Sequence, residues 1–345
     1  AASDVYKRQG ENGHILLEPT STNLVTYSQE FGTSKYFNVN QASIVSNNNL
    51  APDGTNTATQ LLSSGAGKLQ SSSVTLPANT TYTLSFFVKN VDATEVQSRA
   101  LALGGSGGTN LTSVSYFSQI NTTTFTRITH IFTTNSTEED YILYISNALN
   151  SGGNIQLWGA QLEELSYATS YIPSLTGSTV TRAVEKLTGS GNTVLIESRQ
   201  GTFYVDVAAL APSTGAQISI SLSGGSSNDR VLIYSGSGGG EWLVQFRKDS
   251  SSYISISKSA TISNQAKIAV AWASGRYVMF VDGVKATTYG TGSETESNTF
   301  DGGDLKSIQF SPNNGSGSNL FYGKVKAVAV FNEALSDTEL TNLTS

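Results

Sequence analysis

Apolar residues recur at every second position along much of the chain, the spacing of strands that bury one face. Tyr82, Leu84, Phe86 and Val88 alternate with Thr83, Ser85 and Lys89, and Phe87 interrupts the polar side, so this strand is a candidate for cover on both faces. Ile128, His130 and Phe132 share one face of another strand; Tyr141, Leu143 and Ile145 share one face of a third. Farther on, Ile218, Ile220 and Leu222 alternate with Ser219 and Ser221. Trp242, Val244 and Phe246 alternate with Leu243 and Gln245, and Ile254 and Ile256 with Ser255 and Ser257. Ile268, Val270 and Trp272 share a face whose reverse carries Ala269, Ala271 and Ala273, a composition that suits burial against a second sheet. Tyr277 to Val281, Asp282-Gly283 and Val284 read as a hairpin with a two-residue turn. Glycine runs at 104–108 and 151–154 mark turns. Helical spacing is missing from every long stretch. Ser336-Asp337-Thr338-Glu339 alone has the form of a capping box, opening one short C-terminal helix. Many short strands with frequent turns predict an all-β chain of two β-sandwich (jelly-roll) domains in tandem.

The length of 345 residues suits two domains, each with its own core. A Pro/Gly/Ser/Thr-rich connector over 173–200 is expected to separate a first module, 10–172, from a second, 201–345. Only 13% of residues are charged, the net charge is -6 and no Lys/Arg cluster occurs, which argues against a nucleic-acid partner. Cysteine is absent, so disulfides and thiolate chemistry are excluded. That usage suits a protein folded in a reducing cytosol. No segment has the apolar length of a membrane-spanning helix, and membrane insertion is not expected. Asp4-Val5-Tyr6-Lys7-Arg8-Gln9 matches a reading frame through a transposase end sequence used in library preparation. Residues 1–9 are therefore read as adapter translation, and the native N-terminus is expected to be missing.

The stretch from Ile155 to Glu185, IQLWGAQLEELSYATSYIPSLTGSTVTRAVE, resembles the join between two sandwich modules of bacteriophage tail-fibre and minor structural proteins. Gly13 to Pro19 and Thr22 to Phe31 look like the opening of the first module, and Ala51-Pro52-Asp53-Gly54-Thr55 with Ala58 and Leu61 resembles its next strand. Lys267 to Trp272 through Val281-Asp282-Gly283-Val284-Lys285 resembles the central hairpin of laminin-G-like domains. The resemblance implies a carbohydrate-binding-module-like jelly roll followed by a concanavalin A/laminin-G-like domain. It further implies a non-catalytic role in host attachment, in the virion tail or outside the cell. Its partners would be a cell-surface glycan or polysaccharide and other virion proteins, with oligomers allowed. A polysaccharide-cleaving glycoside hydrolase (or its accessory modules) and a bacterial surface adhesin are the alternatives.

Glucanases of the concanavalin A-like fold carry a Glu-x-Asp-x-x-Glu-type strand, and none is present. Glu294-Thr295-Glu296 is the nearest pair, set in a Gly/Ser/Thr run that reads as a loop. Glu163-Glu164 and Glu138-Glu139-Asp140 read as structural and solvated, respectively. Of the two histidines, His14 lies near the N-terminus and His130 reads as a hydrogen-bonded strand residue. No catalytic residue is assigned. The glycine-rich run from Ser235 to Gly240 lacks the Lys-Ser/Thr of a phosphate loop. No cofactor is required, although Asp301 and Asp304, and Ser227-Asn228-Asp229, offer hard oxygen donors that calcium would favour. Sugar binding generally needs an aromatic platform rimmed by polar groups. Trp242, with Tyr234, Arg230, Asp229 and Arg247 close in sequence, is the candidate cluster; Trp242 also fits core periodicity with Val244 and Phe246.

Overall fold

The structure, a computed structural model, describes residues 13–32, 35–63, 67–104, 109–147, 153–187, 190–210, 218–236, 239–312 and 319–345. Residues 1–9, the expected turns at 105–108 and 151–152, and positions 237–238 of the glycine-rich run lie outside the described residues. The described residues divide into two compact units, one formed by Thr20–Val184 and the other by residues 13–19 together with Glu185–Ser345.

The opening strand β1 (Ile15–Leu17) belongs to the second unit. The first unit then runs through β2 (Ser21–Asn23), β3 (Phe37–Asn40), β4 (Ser43–Asn49), β5 (Ala58–Ser63), β6 (Lys68–Ser71) and β7 (Val74–Leu76). It continues with β8 (Thr81–Asn90), β9 (Gln97–Ala102), β10 (Thr109–Ser115), β11 (Thr126–Thr133), β12 (Glu139–Asn147), β13 (Gly153–Glu163) and β14 (Val180–Arg182). The second unit resumes with β15 (Gly201–Ala209), β16 (Ser219–Ser223), β17 (Arg230–Ser235), β18 (Glu241–Lys248) and β19 (Ser251–Ser259). It ends with β20 (Ala266–Ala273), β21 (Arg276–Val281), β22 (Val284–Lys285), β23 (Thr288–Thr291), β24 (Ser307–Gln309), β25 (Gly323–Phe331) and helix α1 (Asp337–Thr344). The fold is all-β, two sandwiches with one short C-terminal helix.

In the first sandwich the antiparallel sheet β11-β8-β13-β5-β4 packs on β10-β9-β12-β6-β3. The alternation explains the core: Leu84, Phe86 and Val88 of one sheet meet Tyr141, Leu143 and Ile145 of the other. Phe87 points the other way and packs with Trp158 and Tyr171, so β8 is covered on both faces. The Trp-Gly-Ala-Gln-Leu-Glu motif is a clamp. Pairing of β13 with β8 slips between Trp158 and Gln161, a bulge at which Gly159 takes φ +63. A side chain there would also press on the rings of Phe87 and Tyr171. Beyond the bulge, buried Glu163 accepts from Ser21 Oγ (2.6 Å) and Thr169 N (3.0 Å), and Gln161 Oε1 accepts from Ile172 N (2.6 Å).

In the second sandwich β1-β25-β15-β20-β21-β22 packs on β23-β19-β18-β17-β16-β24. Phe203, Val205, Ile268, Val270 and Trp272 of one sheet meet Ile220, Val231, Ile233, Val244 and Phe246 of the other. Ala269 and Ala271 on the reverse of β20 lie not against a second sheet but in a smaller cluster with Leu340 of α1. Their small side chains admit the helix. The helix opens with the expected capping box, Ser336 N donating to Glu339 Oε2 at 2.8 Å. Asp282 and Gly283 adopt φ 48 and 76, the signature of a type I′ hairpin turn.

Two boundaries differ from those expected. The segment 13–19, placed by its sequence in the first module, instead supplies β1, which pairs with β25 of the second. The first sandwich is therefore an insertion between β1 and the rest of the second. The described residues of the expected connector, 173–187 and 190–200, divide between the two units at Val184/Glu185. Ser174 exchanges backbone and hydroxyl bonds with Ser28, and β14 pairs with β2. Past Val184, Glu185 N donates to Glu18 O, Ile196 enters the second core and Ser198 O accepts from Trp272 Nε1 at 2.8 Å. Low apolar content there reflects backbone pairing at sheet edges, not looseness.

Candidate functional site

Each sandwich covers the outer face of one sheet and leaves the other sheet's outer face polar. In the first, the segment around Tyr171 closes over β8 and β13, burying Thr83, Ser85 and Gln161. In the second, α1 closes over β20 and β21. The remaining faces are the ones that set polar side chains at sheet register.

On the second sandwich, β16 to β19 turn Ser219, Ser221, Arg230, Leu232, Tyr234, Leu243, Gln245, Arg247, Ser255 and Ser257 outward, opposite in phase to the core. Arg230 lies directly across from Arg247. Its Nη1 donates to Pro312 O (3.0 Å) and its Nη2 to Gln245 Oε1 (3.1 Å). Arg247 Nη2 donates to Ser250 O at 2.7 Å. Burial, and then the charge of Arg247, hold the Arg230 pKa below its ordinary value. Burial raises that of Tyr234. Carbonyls from the segment after β24 lie over β16: Ser221 Oγ donates to Ser311 O (2.8 Å) and Ser219 Oγ to Asn319 O (2.6 Å). Gln309 of β24, beside Ser221, is 2% exposed, and its Oε1 has no partner among the described residues.

Of the expected cluster, the structure brings together Arg230, Arg247 and Tyr234. Asp229 ends at the adjoining turn, where its Oδ1 accepts from Asp249 N at 2.9 Å. Trp242 does not belong. It is fully buried in the second core, on the face opposite Gln245 and Arg247. The reading of Trp242 as a rim platform fails because the residue is in phase with Val244 and Phe246, which puts its ring in the core.

The first sandwich carries a row that the sequence reading did not single out. Ser113, Arg99, Tyr144, Gln70 and Asn38 are successive cross-strand partners over β10, β9, β12, β6 and β3. Tyr144 is half-buried, and the Arg99 guanidinium sits 5.9 Å from its ring centre. The signal was available: if Tyr141, Leu143 and Ile145 face the core, Tyr144 faces water.

The candidates for catalysis have structural partners. Glu294 is paired with Lys285 Nζ at 2.7 Å, and Glu296 Oε1 caps the backbone N–H groups of Ser297 and Asn298. Glu164 is exposed; Glu139 accepts from Tyr141 Oη and Asp140 from Thr75 Oγ1. His130 is buried, its Nδ1 2.9 Å from Ser98 Oγ. Because Ser98 Oγ donates to Tyr144 O (2.8 Å), the proton of the His–Ser bond belongs to Nδ1. Burial lowers the His130 pKa to about 4, so the ring is neutral and out of reach of a substrate. The carboxylates of the expected calcium donors have protein partners. Lys248 Nζ lies 3.0 Å from Asp301 Oδ2, Asp304 Oδ2 accepts from Asp301 N at 2.7 Å, and the described residues hold no cluster of three or more acidic or histidine ligands.

Residues 188–341 match the family described as the concanavalin A-like lectin/glucanases superfamily, and residues 15–146 match the HpiC1 cyclase family. A search of curated proteins finds no match. Among solved structures, the Ruminococcus gnavus IT-sialidase CBM40 bound to α2,3-sialyllactose is 19% identical; the likeness covers 47% of this chain and 97% of that one, at a TM-score of 0.36. The K499G mutant of the NanB sialidase from Streptococcus pneumoniae is 19% identical over 45% of this chain and 27% of that one, at 0.34. A heptameric SAP-like pentraxin from Limulus polyphemus is 17% identical over 46% and 75%, also at 0.34.

Proposed function

We propose that this chain is a non-catalytic pair of glycan-binding sandwiches serving attachment to a cell-surface polysaccharide, as part of a phage or prophage tail fibre or a related virion protein. The observation that carries the glycan reading is the outer face of β16 to β19. There, guanidinium, amide, hydroxyl and phenol groups stand at sheet register on a rigid floor, the chemistry that orients sugar hydroxyls. The row through Tyr144 offers a second such face with an aromatic ring. The concanavalin A-like family match supports the lectin-like character of the second sandwich. The virion context is supported by the resemblance of the 155–185 join and by the cysteine-free composition.

The family that matches residues 15–146 carries the name of a cyclase, which makes ring closure a second reading for the first sandwich. Proton-driven ring closure would need an acid inside an apolar pocket. Glu163 and His130, the buried titratable groups expected to serve, are committed to Ser21 and Thr169 and to Ser98. Glycan-array binding of the full chain, with and without EDTA, tests the main reading. Saturable binding to a defined set of glycans, unchanged by EDTA, is the expected result. No binding to any glycan, or turnover of a bound polysaccharide, would overturn it.

A further inference from the structure

Resting on the glycan reading, we infer that the Arg230–Arg247 pair is built for a sugar that bears a carboxylate. The two guanidiniums are direct cross-strand partners, an arrangement that like charges disfavour unless an anion joins them. Among the described residues, the hydrogen bonds from either one end on neutral oxygens: Pro312 O, Gln245 Oε1 and Ser250 O. No ion pair among the described residues includes either arginine. The Nε of each is buried without a partner. A buried donor left unmade is costly, and two of them side by side on one sheet face imply a ligand that supplies paired acceptors. A planar carboxylate does so, since its two oxygens match the fork of a guanidinium.

The neighbours select a sugar acid over a bare anion. Gln309, 98% buried on the same sheet face, holds Ser307 Oγ through its Nε2 at 2.9 Å and leaves its Oε1 without a partner, an acceptor suited to a sugar hydroxyl. Sulfate would satisfy the arginines but brings acceptors alone. A neutral sugar would leave the two charges unanswered. Nearby carboxylates do not compete: Asp229 holds Asp249 N, and Asp301 holds Lys248. The lowered pKa of Arg230, from burial and then from Arg247, agrees with a positive pair lacking a counter-charge.

The probes are glucuronate, galacturonate, mannuronate and N-acetylneuraminate, each set against its methyl ester and against sodium sulfate. Nitrogen-15 NMR of the full chain reads the arginine Nε–H and glutamine side-chain signals. At least one acid should shift the Arg230 and Arg247 signals and one glutamine side-chain amide saturably, with its ester at least tenfold weaker. Arg247→Gln should abolish the response while amide dispersion and melting stay unchanged, and Arg247→Lys should restore part of it. Equal responses to acid and ester, a sulfate response matching the acids, persistence in Arg247→Gln, or silence with all four acids would each overturn the inference. If the array still shows glycan binding, only the acid specificity falls. An array blank for every glycan removes the underlying reading as well.

Discussion

Tyr144 of the first sandwich and Trp242 of the second are both large rings near the middle of a sheet, and they differ by one step of phase. Tyr144 sits between the core residues Leu143 and Ile145, so its ring is on the wet face beside Arg99 and Gln70. Trp242 is itself in phase with Val244 and Phe246, so its ring is in the core. The wet face beside Trp242 is left to arginine and glutamine. Ring size did not decide which aromatic meets solvent; the parity of its position relative to the core did.

The largest effect that tests this contrast is on stability. Trp242→Ala should destabilise the second sandwich by about 3–5 kcal/mol through the cavity it opens. Tyr144→Ala should change the first by less than about 0.5 kcal/mol, as for other surface positions. Hydrogen exchange read by mass spectrometry separates the two modules. A Trp242→Ala protein that keeps full protection but loses glycan binding would return Trp242 to the ligand face and break the comparison.

The second test is acid, because only one sandwich buries a histidine among the described residues. His130 binds a proton near 6.5 when unfolded and at about 4 when folded. The unfolded state therefore takes up more protons as pH falls from 6.5, and stability present above that pH is lost on the way down to about 4. At about 1.4 kcal/mol per pH unit the loss amounts to about 3 kcal/mol. In the second sandwich, Asp337 and Glu339 have lowered pKa values, so their contributions persist until pH falls below about 4. Exchange protection of β11 and β12 should thus decline between pH 6.5 and 4 while that of β18 and β20 holds. His130→Gln should flatten the first profile; an unchanged slope in that variant would assign the decline to another group.

Much of this was legible in the chain because period-two alternation and sandwich burial are the same fact seen twice. The strands through Leu84, Tyr141, Val244 and Val270, the Asp282-Gly283 turn and the Ser336 capping box all follow from local pattern. Long-range pairing was not legible. Nothing local to Ile15–Leu17 says that its partner is β25, more than 300 residues on, at Val325 to Gly323. The same holds for 173–200, whose few apolar residues hid hydrogen bonds to Ser28 and Glu18. At the site, Arg230, Arg247 and Tyr234 were found by nearness in sequence, since a hairpin brings its own strands together. The Arg99–Tyr144–Gln70–Asn38 row needs four strands from distant segments, and Gln309 reaches β16 only through the fold.

A smaller effect concerns ligand. If the first sandwich uses its ring as a platform, Tyr144→Ala should weaken glycan binding by about 1–2 kcal/mol without changing stability, and Tyr144→Phe should retain most of it. Titration calorimetry on a glycan identified by the array reads both variants, with Arg247→Gln as the companion on the second face. Losses confined to Arg247→Gln would make the second sandwich the sole binding unit. Losses in both would show that each wet face contributes.

The smallest expected effect belongs to the device that covers the reverse of β20. Asp337, in the first turn of α1, accepts from Arg276 Nη2 at 2.7 Å and Lys285 Nζ at 2.9 Å, and Lys285 also holds Glu294 at 2.7 Å. Burial alone would raise the Asp337 pKa, but the bonds from Arg276 and Lys285 outweigh it and hold the carboxyl below 3.8. A lowered acid pKa stabilises above its unfolded value, and that contribution disappears as pH falls below about 3.8. With the Asp337 side chain 48% exposed and its partners 28% and 29%, solvent screens the network. Asp337→Asn should therefore cost only about 0.5–1 kcal/mol at neutral pH, less in 1 M salt, and progressively less as pH falls below 3.8. The first sandwich covers its own sheet with Trp158, Phe87 and Tyr171, which carry no charge network, so salt should leave it unmoved. A loss above about 2 kcal/mol in Asp337→Asn would mean that the ion pairs, and not Leu340 on the β20 alanines, hold the helix down.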